Sequence, residues 1–338
     1  MNYIGSKFKL TSFLQTNIEI ALQKANAKPL KDSVFCDMFA GTSAVGKLFK
    51  NRVRQIMSND REYYSFILSK NYIENCHRIE GIESKFRELQ SDEATPPIKG
   101  KIYKNYCLGK GHLHARQYFS DDNGAKIDAI RVKIEQWRKQ GLDDAAYFHL
   151  LASLLESADK VANTASVYGA FLKTLKKSAA KPIILEPAVF EYSKNQHVVF
   201  NEDSNQLIQK IEGDILYLDP PYNAREYGAN YHLLNTIALY DAFTPRGKTG
   251  LRDYEKSHWC KKTKVANELE TLIRNANFEW IFLSYNDEGL LGLEQIRAIF
   301  ERYGIYQLKS QKYQRFKADS NRTYKQDFTI EHLHILHK

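Results

Sequence analysis

The tightest constraint lies in Asp214 to Tyr227, DILYLDPPYNAREY. Ile215 to Leu218 form a short apolar run, the pattern of a buried strand. The strand must end at Asp219-Pro220-Pro221-Tyr222, because two successive prolines remove two backbone donors and fix φ. The result is a stiff turn that gathers a carboxylate, free carbonyls and an aromatic ring at a strand's carboxyl end. In open α/β sheets that edge is where ligands bind. A carboxylate and a proline carbonyl only accept hydrogen bonds. Together Asp219 and Pro220 can hold an exocyclic amine by its two N–H groups and leave the nitrogen lone pair aimed elsewhere. Tyr222 adds a flat face for stacking a base, worth roughly 1–3 kcal/mol. A plain proline-stiffened turn whose Asp caps the next helix would carry the same residues.

Two further strand-to-turn transitions precede this one. Val34 to Asp37 is apolar and runs into Met38-Phe39-Ala40-Gly41-Thr42-Ser43, where Gly41 permits a tight turn and close approach of a ligand. Thr42 or Ser43 is expected to cap the helix that follows. The spacing is not the GxGxxG of dinucleotide folds. Arg54 to Asp60 forms a second short strand ending in an acid, the position that accepts ribose hydroxyls in nucleotide-binding sheets. Asp60 also suits the N-cap of a helix over Tyr63 to Cys76. Val198 to Ser204 repeats the transition and ends at Asp203. Upstream of all of these, Leu10, Phe13, Leu14, Ile18 and Leu22 recur at helical spacing, with Ser6 as a suitable N-cap.

Between about Ile79 and Tyr192 the character changes. Charge rises, Thr95-Pro96-Pro97 and Gly109-Lys110-Gly111 punctuate the chain, and amphipathic helices are expected near 125–139 and 143–159. Arg116, Lys126, Arg131, Lys133, Arg138, Lys139, Lys173, Lys176 and Lys177 alternate with aromatics, a composition suited to phosphate contact, or to a solvated basic face. Beyond the Asp-Pro-Pro-Tyr turn, Leu233 to Tyr240 reads as a helix. Thr244 to Asp253 is a glycine-rich basic loop holding Arg246, Lys248 and Arg252. It is not a P-loop, since the preceding strand and first glycine are missing. Glu279 to Asn286 is another buried strand. Alternation over Tyr306–Tyr313 and Thr329–Leu336 predicts a terminal hairpin, with Arg315, Lys317, Arg322 and Lys325 in its connection.

The net charge of +9 favours an anionic partner. Cys36, Cys76, Cys107 and Cys260 are scattered without a CxxC, and the histidine clusters at 112–114 and 332–337 lack ligand spacing, so no metal is expected. No signal peptide and no apolar run of membrane-spanning length is visible, and a cytoplasmic protein is expected.

The extended motif Asp219-Pro220-Pro221-Tyr222-Asn223-Ala224-Arg225-Glu226-Tyr227 resembles that of DNA amino-methyltransferases. Asn2-Tyr3-Ile4-Gly5-Ser6-Lys7 and Asp37-Met38-Phe39-Ala40-Gly41 are similar to the cofactor motifs of the D12, alpha-type adenine N6 group, in that group's order. The resemblance is clear over 1–60 and about 197–336. It implies a class I, Rossmann-like α/β methyltransferase sheet with an inserted, mostly helical target-recognition subdomain. Residues 1–78 would form the cofactor-binding part of the core, 79–192 the insertion and 193–338 the catalytic part. It implies S-adenosylmethionine held by Tyr3, Lys7, Asp37, Phe39, Gly41, Asp60, Asp203 and Asp219. Asp219, Pro220 and Tyr222 would act on a flipped adenine. Double-stranded DNA would be held by Arg225, Arg246, Lys248 and Arg252, and a cognate restriction endonuclease is a candidate partner. An RNA adenine or guanine methyltransferase, or a non-catalytic DNA-binding subunit, would share much of this pattern.

Overall fold

The computed structural model describes residues 7–109, 115–314 and 328–338. The described residues form two compact units. One comprises 7–76, 193–226 and 256–338, the other 77–192 and 227–255.

The first unit carries a seven-stranded sheet: β1 Val34–Asp37, β2 Gln55–Asn59, β3 Val198–Phe200, β4 Glu212–Leu218, β5 Asn277–Asn286, β6 Ile305–Gln314 and β7 Phe328–His337. Their order is β3-β2-β1-β4-β5-β7-β6, parallel except for β7, which runs antiparallel to both β5 and β6. This is a Rossmann-like α/β sheet, as the sequence resemblance implies. Ile215 to Leu218 are buried, as a central parallel strand covered on both faces requires. Cys36, Leu216 and Leu218 of the sheet belong with Leu269, Leu272 and Ile273 of the amphipathic helix Val265–Asn275 to one apolar core cluster.

The topology creates the site. The chain winds outward from β1 through β2 to β3, then returns to β4 on the other side of β1. Ligands bind at such a reversal, outside the carboxyl ends of the strands. Asp37, Asn59, Asp60 and Asp219 all fall at that edge. Because β7 is antiparallel, its early residues also reach it: Glu331 pairs in register with Asn286, the last residue of β5.

Two local details differ from the sequence reading. Ser43 precedes the helix Ala44–Phe49 with φ of 60° but makes no capping bond. Its Oγ instead shares a hydrogen with Ser69 Oγ at 2.8 Å. The helix expected over 63–76 is α-helical only over Tyr63–Ser69 and continues as a π-turn, Lys70–Glu74. Asp60 is not its N-cap residue; Glu62 is. The π-turn's end is held by the buried Lys50, whose Nζ donates to the Tyr72 and Asn75 carbonyls at 2.9 and 2.6 Å. Ser6 and the connection bearing Arg315, Lys317, Arg322 and Lys325 lie outside the described residues, as do His112 and His114.

The second unit is helical: Ile82–Gln90, Lys101–Tyr106, Asp121–Lys139, Asp144–Val161, Tyr227–Asn230 and His232–Leu239. Its two long helices begin where side chains satisfy orphan amides. Ser120 accepts from the Asn123 amide and Asp143 from that of Ala146. Residues 227–255, grouped with the catalytic part in the sequence reading, cluster with these helices. Among the described residues, no helix is long and apolar enough to cross a membrane, and no group of three or more His, Cys, Asp or Glu side chains is arranged to hold a metal ion.

Candidate active site

The loop after β1 is tied down by main chain and by one asparagine. The Ala40 amide donates to the Asn59 carbonyl at 2.9 Å, and the Met38 amide to the Tyr217 carbonyl at 3.1 Å. Asn59 Nδ2 donates to the Met38 and Glu202 carbonyls while its Oδ1 accepts from the Glu202 amide. One buried side chain thus ties the loops after β1, β2 and β3 together. Gly41 takes φ of 54°, where a side chain is disfavoured. Its amide donates to Asp60 Oδ2 at 2.8 Å, and its carbonyl accepts from Ser65 Oγ at 2.6 Å. Asp60 Oδ1 accepts from the Glu62 amide at 2.8 Å.

Asp37 is buried and accepts from the Gly46 amide at 3.0 Å. Burial pushes its pKa up to about 7; the Gly46 bond opposes that, and the Asp219 and Asp60 charges add to it. At the end of β4, burial likewise pushes Asp219 up to about 6, against the pull of Lys7 and with the push of Glu331. Lys7 Nζ lies 3.0 Å from Asp219 Oδ1 and 2.8 Å from Glu331 Oε1. Burial alone would lower the Lys7 pKa, but these carboxylates outweigh it and raise it well above the usual value.

Pro220 is buried and Tyr222 half-buried. The Tyr222 carbonyl accepts from the Leu290 amide at 2.8 Å and from the Tyr285 hydroxyl at 3.5 Å, so the loop after β5 braces the turn. Phe39 presents its ring edge-on to Trp259, 5.1 Å between centroids, and Trp259 Nε1 donates to Ser204 Oγ at 3.1 Å. Asp203 caps the short helix Ser204–Leu207 through the Asn205 and Gln206 amides. Seven of the ten residues expected at the cofactor or the amine (Lys7, Asp37, Gly41, Asp60, Asp219, Pro220 and Tyr222) therefore belong to one connected edge or its turns, and Phe39 and Asp203 stand beside it on their own partners. Tyr3 lies outside the described residues.

The family model for "D12 class N6 adenine-specific DNA methyltransferase" matches residues 3–312. The chain belongs to this family. It is thus a site-specific adenine N6 methyltransferase acting on DNA with S-adenosylmethionine as methyl donor; neither an RNA enzyme nor a non-catalytic subunit is the family's description. It is 58% identical over 342 residues to Type II methyltransferase M.NlaIII of Neisseria lactamica, covering 100% of this chain and 99% of that protein. It is 35% identical to Type II methyltransferase M.CviAII of Paramecium bursaria Chlorella virus 1, over 94% of this chain and 93% of the other. Against Type II methyltransferase M.FokI of Planomicrobium okeanokoites the identity is 38% over 94% of this chain but only 50% of that longer protein.

The D12 methyltransferase's carboxyl edge fits the donor electrostatically. S-adenosylmethionine carries a sulfonium and an ammonium against one carboxylate. Asp37, Asp60, Asp219 and Glu331 face one another with Lys7 as the cation among them, an excess of negative charge suited to a cationic ligand. An ammonium has three donors, so Lys7 keeps one beyond its two carboxylates.

The residues expected at DNA divide. Arg225, Arg246 and Lys248 are exposed. Arg246 pairs with Asp253 at 3.0 Å, and its bridge to Leu251 closes a tight loop through Gly247 and Gly250, both at positive φ. Arg252 does not belong with them. It is 9% exposed, bonds both Asp241 oxygens through Nη2 and stacks over the Phe243 ring, so it is a structural anchor of the loop. Arg116 and Arg131 are buried as well, bonded to main-chain carbonyls. Lys126 and Lys133 pair with Asp92 and Glu88, and Arg138 with Asp144. Sequence reasoning missed Asn59, Ser65, Tyr285 and Glu331. Only Glu331 carries a signal: it is a charge in phase with Thr329, Leu333 and Ile335 on an alternating strand, where an apolar residue is the norm.

Proposed function

We propose that this chain is the modification enzyme of a Type II restriction–modification system and methylates adenine flipped from duplex DNA. The Asp219-Pro220-Pro221-Tyr222 turn beside an acidic edge is the observation that carries the reading. Adenine N6 is out of reach inside a duplex, so the base must leave the stack. Tyr222 stacks on it. Asp219 and the Pro220 carbonyl accept its two N–H hydrogens, which localises the nitrogen lone pair. The bound donor would supply an electrophilic methyl group and be left as S-adenosylhomocysteine, and the methylated N6 then gives up one proton. Asp60 accepts the ribose hydroxyls, Phe39 and Gly41 line the adenosine, and Asp37 and Lys7 hold the amino and carboxyl groups of the methionine moiety. As positive charge develops on N6, the Asp219 carboxylate binds it more strongly, so its contribution belongs to the transition state. Asp203, already a helix cap, stands at the adenine end.

Arg225, Arg246 and Lys248 contact phosphates, and the helical unit reads sequence. A restriction endonuclease of the same specificity is the partner; the relatives named as Type II methyltransferases support that reading. The cytoplasm is where such a system works. The test uses tritiated methyl transfer in a single turnover to genomic DNA from cells lacking the gene. The expected product is N6-methyladenine at one short sequence, and Asp219→Ala should lower the rate by at least about 10²–10³-fold, as for loss of a preorganised electrostatic group. Near-normal turnover by Asp219→Ala overturns the mechanism, and methylation scattered over many sequences overturns the restriction–modification role.

A further inference from the structure

We propose that Glu331, on the antiparallel strand β7, is a positioning residue for methyl transfer: as a second carboxylate on Lys7 it keeps one oxygen of Asp219 open to the amine. The inference rests on the reading of Asp219 as the amine's acceptor.

Lys7 Nζ stands between two carboxylates, 3.0 Å from Asp219 Oδ1 and 2.8 Å from Glu331 Oε1, with the Lys7 and Glu331 side chains 7% and 1% exposed. Ser284 Oγ, on β5, donates to the same Glu331 Oε1 at 2.6 Å, which fixes the carboxylate from the neighbouring strand. A glutamate this deep is costly unless it is paired. One ion pair with Lys7 would satisfy it, but Lys7 is shared with Asp219, and Glu331 Oε2 is buried without a hydrogen-bond partner among the described residues. A purely structural salt bridge would not leave that acceptor orphaned. The arrangement makes sense if the middle cation is what has to be placed. Shared with Glu331, Lys7 engages Asp219 at Oδ1, and Oδ2 is the oxygen we assign to N6–H. Without that second carboxylate, the ammonium would settle across both Asp219 oxygens and compete with the amine.

The groups facing Asp219 are Lys7 of the N-terminal segment, Asp37 at the end of β1, Asp60 after β2, Tyr217 of β4, Glu331 of β7 and, further out, Tyr222 and Tyr313. Among them Lys7 favours the ionised Asp219, and Glu331 and Asp60 oppose it. Substitutions at Lys7 and Glu331 should therefore move its titration in opposite directions.

The experiment measures single-turnover methyl transfer against pH at saturating S-adenosylmethionine and DNA. Glu331→Leu is expected to lower the rate constant about 10- to 100-fold, the cost of misplacing a reacting contact. Glu331→Gln keeps an oxygen for Lys7 and Ser284. It should recover most of the rate at pH 8 and shift the acid limb to lower pH, because one negative charge facing Asp219 is gone. Lys7→Met should shift the limb to higher pH. A wild-type rate for Glu331→Leu, or an acid limb unmoved in Glu331→Gln, overturns the proposal. If Glu331→Leu fails to fold, the opposed limb shifts of the other two variants decide. Asp219→Ala runs alongside. Its activity loss with unaffected Glu331 variants defeats this inference alone, whereas retained activity defeats the reading beneath it.

Discussion

Lys7 at the sheet edge and Arg131 in the helical unit are both nearly inaccessible cations, yet their partners differ in kind. Arg131 donates to the Ile237 and Ala238 carbonyls at 3.0 and 3.1 Å and to Glu135 at 2.9 Å. Those carbonyls close the helix His232–Leu239, whose last turn has no intrahelical donors for them. The positive charge meets the negative end of the helix, and the local electrostatics are complete. Among the described residues, the charges that Lys7 meets are carboxylates, and they outnumber it. Asp37 and Asp219 are left with pKa values pushed up by burial, and Glu331 keeps an orphaned oxygen. A cation that finishes a helix end stabilises the fold. A cation outnumbered by buried carboxylates marks a surface that is complete only when a cationic ligand arrives.

The sharpest way to break this contrast is to delete both cations. Arg131→Met is expected to cost about 2–4 kcal/mol, since charge-assisted bonds to buried carbonyls are lost; denaturant unfolding measures it. Lys7→Met leaves Asp219 and Glu331 without their cation, so it should destabilise the fold as well, but unlike Arg131→Met it should also move the pH profile of activity. An unmoved profile would show that Lys7 is as structural as Arg131.

A smaller effect tests whether the edge is built for the donor. Asp60→Ala should weaken S-adenosylmethionine binding by roughly 1–3 kcal/mol in calorimetry, the range for a hydrogen bond to a charged group. Unchanged affinity removes Asp60 from the pocket.

The pH dependence sharpens the comparison further. Without ligand, burial pushes the pKa of Asp37 up to about 7 and that of Asp219 up to about 6. A cation prefers the ionised forms, so donor binding should release protons and strengthen as pH rises through about 6 to 7, levelling above that. For folding without the donor the sign reverses. Both pKa values lie above the ordinary 3.8, so the folded state binds more protons and the stability these groups contribute falls as pH rises from about 4 to about 7. Calorimetry in buffers of different ionisation enthalpy reads the proton release, and its absence would mean the carboxyls do not face the ligand.

The smallest expected effect lies in the basic loop. Arg246→Ala with Lys248→Ala should weaken binding to all duplexes alike and reduce the salt slope by about one per lost phosphate contact. Arg252→Ala should instead loosen the loop without that change of slope. A sequence-selective loss in the double variant would make the loop a base reader.

What was legible in the chain was what local patterning controls. Ile215–Leu218, Asp37 to Gly41 and the Asp-Pro-Pro-Tyr turn announce strands and their ends because burial and proline act over a few residues. The motif order implies the sheet, and the family match bears out the class and its chemistry. The tertiary structure alone decided where the charges went. Arg252 reads as a loop cation in sequence, and is buried because Asp241 and Phe243 fold back onto it. Glu331 reads as one polar residue of a hairpin, and reaches the catalytic edge only because β7 enters the sheet antiparallel beside β5. Charge acquires its meaning from partners brought together by topology, and no spacing along the chain encodes them.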